Sequence, residues 1–106
     1  MDAQLKKGSI EICVLATLAN ADSYGYQIVK DLNKLTTISE STLYPILRRL
    51  ENQGHLTSYT QAYQGRLRKF YRISLSGKMK IEQYLEDFEE LFKIYNFIER
   101  SFNHEK

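Results

Sequence analysis

"SESTLYPILRRLENQG", Ser39 to Gly54, decides the fold of this chain. Leu43, Ile46, Leu47 and Leu50 keep the i, i+3, i+4, i+7 spacing of an amphipathic helix. Ser39 is placed to cap that helix and Gly54 to stop it. Turning through 100° per residue puts Ser41, Tyr44, Pro45, Arg48 and Asn52 opposite the apolar stripe, with Thr42 and Arg49 on its flank. Pro45 is the only proline in the chain. A helix-interior proline removes one backbone hydrogen bond and costs about 3 kcal/mol. The carbonyl it releases belongs to Ser41, on the polar face, so water or a ligand can satisfy it. A ring on that face also presents a flat apolar surface without side-chain entropy. The segment is therefore a helix that turns hydroxyls, an aromatic ring and an arginine away from its own core.

Two helices are expected before it. The first spans about Gln4 to Asn20, with Ile10, Val14 and Leu18 on one stripe and Leu5, Ile12, Leu15 and Ala19 on another. A helix apolar on two faces is covered on two sides. The second spans Tyr24 to about Leu35, capped by Asp22 or Ser23, with Ile28, Val29, Leu32 and Leu35 facing the core. Two strands are expected after it, His55–Tyr63 and Arg68–Ser74, rich in Thr, Tyr, Phe and Ile. Gln64–Leu67 joins them, with Gly65 available for a positive φ.

A long helix capped by Ser76 then runs to the C-terminus. Ile81, Phe88, Tyr95 and Phe102 recur every seven residues, Tyr84, Leu91 and Ile98 fill the second seam position, and Leu85 and Phe92 lie beside it. Its length of about 40 Å exceeds what a small domain can cover. A second copy of the same helix can. The expected dimer surface is Ile10 and Val14 of the first helix with Ile81, Tyr84, Phe88, Leu91, Phe92, Tyr95, Ile98 and Phe102.

Three helices followed by a two-stranded hairpin is the order of a winged helix-turn-helix, in which the third helix enters the major groove and the hairpin is the wing. The fold class is mainly α (α+β). Residues 1–75 form the DNA-binding domain and 76–106 the dimerisation helix. Charge agrees with this order. The 106 residues carry a net charge of only +2, yet residues 41–77 hold six basic side chains against the single acid Glu51. A local basic segment points to a polyanion, here double-stranded DNA. The residues expected at DNA are Ser41, Thr42, Tyr44, Pro45 and Arg48 of the third helix, Arg66, Arg68 and Lys69 of the wing, and Tyr24 at the start of the second helix. A rival class, a winged-helix protein-interaction module that never touches DNA, would scatter acids among these arginines.

Other chemistries find no support. One cysteine allows no intrachain disulfide, and Cys13 reads as a small core hydrophobe. There is no nucleophile–histidine pairing, glycine-rich phosphate loop or metal-ligand spacing, so neither an enzyme nor a cofactor is expected. The apolar run Ile10–Ala21 is too short to span a bilayer and lacks the layout of a signal peptide, which makes the cytoplasm the default.

"STLYPILRRLENQGHL", the wing "GRLRKFYRIS", the following "SGK" and the opening "GSIEICVLATLANADSYGYQI" together resemble the PadR family of bacterial transcription regulators, from about Leu5 to Lys78. The resemblance implies a winged-helix DNA-binding domain with a C-terminal helix that dimerises, usually in a repressor relieved by a small molecule. The single terminal helix is similar to the short subfamily. Leu67 stands where the family's wing usually carries proline. In some short members aromatic side chains, chiefly tryptophan, sandwich flat drugs at the dimer interface. This chain has no tryptophan, which leaves Tyr84, Phe88, Phe92 and Tyr95 for such a role.

Overall fold

The computed structural model describes residues 3–104, with side chains from Gly8 onward; the Leu5 side chain of the expected stripe lies outside them. The chain runs α1 (Ala3–Ala19), β1 (Ser23–Tyr24), α2 (Gly25–Leu32), α3 (Glu40–Asn52), β2 (Leu56–Tyr63), β3 (Arg66–Ile73) and α4 (Leu75–His104). The three strands make one antiparallel sheet in the order β1-β3-β2. This is a winged helix carrying one long terminal helix, the expected fold class.

The core sits between α1, α2, α3 and the inner face of the sheet. Val14, Leu15, Ile28, Leu43, Leu47 and Leu50 are completely enclosed there. The stripe expected on α3 is the buried one: Leu43, Ile46, Leu47 and Leu50 all face inward. Ser39 caps that helix, its Oγ accepting from the Thr42 amide at 3.3 Å. Gly54 follows it at φ +80°.

Four details differ from the sequence expectation, each for a local reason. First, α2 ends at Leu32, because Asn33 captures the turn. Its side-chain amide donates to the Val29 carbonyl at 2.8 Å and the Ile38 carbonyl at 3.1 Å, and its Oδ1 accepts from the Ile38 amide at 3.1 Å. Leu35 therefore falls beyond the helix and stays exposed instead of joining the core. Second, neither Asp22 nor Ser23 caps α2. Ser23 and Tyr24 instead pair with Tyr71 and Phe70 as the short strand β1, and Tyr24 takes the cap position without a side-chain bond. Third, the hairpin turn is only Gln64–Gly65. Both residues have positive φ, 52° and 76°, the pattern of a tight hairpin whose twist suits its strands. Fourth, the cap of α4 is Ser74, not Ser76. The Ser74 Oγ accepts from the Gly77 amide at 3.1 Å.

Ser76 has another task at that junction. Its hydroxyl and that of Ser74 both donate to the Gly54 carbonyl, at 2.9 and 2.6 Å. The Ser74 amide donates to the His55 carbonyl at 3.1 Å. The end of α3 is thus tied directly to the start of α4. Beyond this knot α4 leaves the body, which gives the molecule its extents of 62 × 27 × 21 Å.

Candidate nucleic-acid interface

The outward face of α3 carries Ser41, Thr42, Tyr44, Pro45 and Arg48, all exposed. Packing of the opposite stripe leaves no other rotation open to the helix. The hydroxyls of Ser41 and Thr42 lie 2.9 and 3.1 Å from the Ser39 Oγ, so three hydroxyls cluster at the helix N-terminus. Tyr44 is seated differently from its neighbours. Its ring lies over Gly25 so closely that a Cβ at that position would stand 2.6 Å from the Tyr44 hydroxyl. Gly25 thus draws Tyr44 into a crevice of about 440 Å³ between the start of α2, α3 and the hairpin. Arg66, Leu67, Arg68 and Lys69 line that crevice on the hairpin side. Burial pushes the Tyr71 hydroxyl, also in the wall, above its usual range, with Glu51 adding to the effect.

The basic residues separate into two groups. Arg49 pairs with Glu11 of α1. Lys69 lies 3.9 Å from Glu51, which also accepts from the Ser58 hydroxyl. Arg72 reaches Asp22 through Nη2 at 2.9 Å and Nε at 3.0 Å. Arg68, expected at the DNA, has its guanidinium 4.6 Å from the Tyr24 ring centre, and both residues line the same crevice as Tyr44 and Arg66. The Arg68 Nε is shut off from solvent without a hydrogen-bond partner. Tyr24 is held in the same cluster, edge-on to Phe70 at 5.3 Å. Among the described residues, Arg48 and Arg66 alone of the six basic residues in the segment make no ion pair or ring contact. Sequence could not sort these cations, because Glu11 and Asp22 lie 38 and 50 residues from the arginines they hold.

The Asp22 site gives a pH dependence. The Tyr59 hydroxyl donates to Asp22 at 2.6 Å and, with Arg72, holds this carboxyl below its ordinary value. A carboxyl with a depressed folded-state value adds stability above its unfolded pKa, and that stability is lost as pH falls through the folded value. Asp22→Asn should therefore be less stable than wild type near neutrality, and the gap should close below about pH 3.9. Urea unfolding on both sides of that pH checks it.

The α1–α4 side is apolar. Ser9 and Tyr84 share a hydroxyl hydrogen bond of 2.8 Å that joins the helices. Beside it runs a groove of about 860 Å³ lined by Ile12, Cys13, Leu35, Tyr84, Phe88 and Leu91, with Glu11, Lys80 and Asp87 as its charged groups. Cys13 is half-buried at this groove, not sealed in the core. Tyr84 stacks on Phe88 and Phe92 on Tyr95. Phe88, Leu91, Phe92, Tyr95, Ile98 and Phe102 are exposed on the single chain, and Ile81, Tyr84 and Ile10 are half-buried. Val14 is a correction: at 0% exposure it belongs wholly to the protomer's own core and offers nothing to a second chain. Ile94 and Phe97, outside the heptad seam, are exposed as well.

Among the described residues no helix is long and apolar enough to cross a membrane, and no group of three or more His, Cys, Asp or Glu could hold a metal ion. A helix-turn-helix whose second helix turns hydroxyls and an arginine outward, flanked by a basic hairpin, defines the winged-helix class of regulators. The chain belongs to the PadR-like family of transcriptional regulators, whose family model matches residues 14–83. A Streptococcus mutans protein of known structure is 42% identical, with TM-score 0.74, covering 85% of this chain and 86% of that one. A PadR-like transcriptional regulator from Bacillus cereus is 28% identical with TM-score 0.81, covering 91% of this chain and 96% of that one. PadR of Bacillus subtilis, solved in complex with operator DNA, shares the fold at 23% identity and TM-score 0.67, covering 73% of this chain and 46% of that one.

Proposed function

We propose that this chain is a homodimeric transcriptional repressor that binds an inverted-repeat operator in the cytoplasm and is released by a small molecule. The observation that carries the reading is the outward face of α3, where Thr42 is exposed and Arg48 makes no ion pair among the described residues, with Tyr44 and Arg66 in the adjoining crevice. A guanidinium without an internal partner can fork onto guanine O6 and N7, while Thr42 offers a hydroxyl and a methyl. Tyr44, Ser41 and Arg66 serve phosphates, and Pro45 packs on the backbone. Residues 1–75 bind DNA and α4 pairs the chains. Two-fold pairing spaces the recognition helices about one turn of DNA apart, roughly 10 base pairs between half-site centres. Two similar proteins support this reading: the Bacillus cereus one is a PadR-like transcriptional regulator, and Bacillus subtilis PadR was solved in complex with operator DNA. The α1–α4 groove, apolar and aromatic, suits a flat apolar effector.

Selection of duplexes from a random pool tests the proposal, and an inverted repeat with that spacing is the expected result. Failure to enrich any sequence would overturn it. On the selected duplex, Arg48→Ala should cost about 1–3 kcal/mol, and clearly less on scrambled DNA. Arg66→Ala should instead weaken both duplexes alike and flatten the salt dependence by about one unit per protomer. Equal losses for Arg48→Ala on both duplexes would make it a phosphate contact. Fluorescence anisotropy titrations over a salt series give both quantities.

A further inference from the structure

We infer that Glu11 is a positioning residue for DNA reading: by holding Arg49 it keeps the second of two adjacent arginines off the phosphates. The inference rests on the DNA-binding reading above.

Arg48 and Arg49 are neighbours on α3, yet the structure treats them oppositely. Arg48 projects from the polar face without an ion pair among the described residues. Arg49, one step of 100° around the helix, turns back to α1, where its Nη2 meets the Glu11 carboxylate. The two side chains remain 36% and 17% exposed, so the pair sits at the edge of the core with one side in water. Such a site is a weak source of stability, since taking two charges partly out of water offsets much of their attraction. Its effect on charge is larger. Without Glu11, the flank of α3 would carry a second free cation within an arginine's reach of the groove wall. A cation there gains affinity for every phosphate and reads no base. With Glu11 in place, Arg48 is the one cation that α3 turns to the DNA, and α1 holds the helix at a second point beyond its apolar stripe. The pair therefore restrains sequence-independent binding and fixes the angle at which Arg48 enters.

The experiment compares wild type, Glu11→Gln, Arg49→Gln and the double variant on scrambled duplex DNA and on the duplex selected by wild type, across a salt series. Glu11→Gln keeps the size of the side chain and frees Arg49. Its salt slope on scrambled DNA should steepen by about 0.9 per protomer, with affinity rising on the order of 5-fold per released contact near physiological salt. The ratio of selected to scrambled affinity should fall. The double variant should keep the wild-type slope, because it removes a pair whose charges cancel, and Arg49→Gln should not flatten it, because Arg49 held by Glu11 contacts no phosphate. A wild-type slope for Glu11→Gln would overturn the inference, as would a flatter slope for Arg49→Gln, which would place Arg49 on a phosphate in the native complex. If Glu11→Gln does not fold, Glu11→Ala takes its place with the same expected slope, and a flatter slope for Arg49→Gln still overturns the inference. Equal losses of melting temperature in both single variants, with all slopes unchanged, would make the pair merely structural and overturn the role assigned here. Wild type binding no duplex at all would overturn the DNA-binding reading itself.

Discussion

Gly77→Ala should destabilise the protein more than any other single-methyl change. A Cβ at this position would lie 2.2 Å from the His55 carbonyl oxygen and 2.7 Å from Ile73 Cγ1. The first of these atoms is backbone, and it is already fixed by the Ser74 amide. Nothing at the knot can swing aside as a flexible side chain would. Either α4 lifts off the end of α3 or the helix start unwinds. Overpacking of this kind costs about 3 kcal/mol or more. For a domain of this size that is a fall in Tm on the order of 12–20 °C. Ser76→Ala is the matched comparison. It removes a hydroxyl bonded to the Gly54 carbonyl and the His55 ring at the same knot. Without any clash, it should cost only about 1 kcal/mol. Thermal melts of the two variants at equal chain concentration check the contrast. Near-equal melting temperatures would mean that the approach of α4 to His55 is looser than described. In the proposed regulator the effect would reach function too, because this knot sets the angle between α3 at the DNA and α4 at the second chain.

The parts of this protein that were legible in the sequence are those written in local patterns. Leu43, Ile46, Leu47 and Leu50 define a helix face by themselves, and that face leaves one outward side for Ser41, Thr42, Tyr44, Pro45 and Arg48. Alternation in the wing strands is equally local. What was not legible depends on contacts between distant segments. Two residues, Ser23 and Tyr24, have no pattern of their own and become β1 only because the free edge of β3 is there to receive them. Leu35 keeps helical spacing with Leu32 and Ile28, but the Asn33 side chain ends the helix before it. Val14 and Ile10 share a stripe, and spacing cannot tell a face turned to the chain's own core from one left for a partner. Arg66, Arg68, Lys69 and Arg72 read as one basic run. The pleat divides that run, and Glu51, Asp22 and the ring of Tyr24 engage three of its members.

If the chains pair through α4 as proposed, Phe88→Asp should abolish that pairing while leaving the winged-helix body folded. Phe88 is 48% exposed on the single chain, stacked on Tyr84 at 5.6 Å, in the middle of the apolar stripe of α4. Its loss therefore takes little from the core, which lies among α1, α2, α3 and the sheet. In a two-fold pair each chain would bring one carboxylate to the seam, beside Asp87 and Glu89 of its own helix. Burying an unpaired carboxylate costs several kcal/mol, and symmetry applies that cost twice. Even about 3 kcal/mol per chain raises the dissociation constant on the order of 10⁴-fold. A dimer held at micromolar concentration would then be monomeric at any practical one. Affinity for an inverted repeat should collapse with it, because each half-site must be held alone, whereas affinity for a single half-site should change little. Sedimentation velocity gives the assembly state, and titration of full and half operators gives the binding arm. A variant that still sediments as a dimer would move the pairing surface away from this seam, towards the second apolar edge that Ile94 and Phe97 form on the same helix.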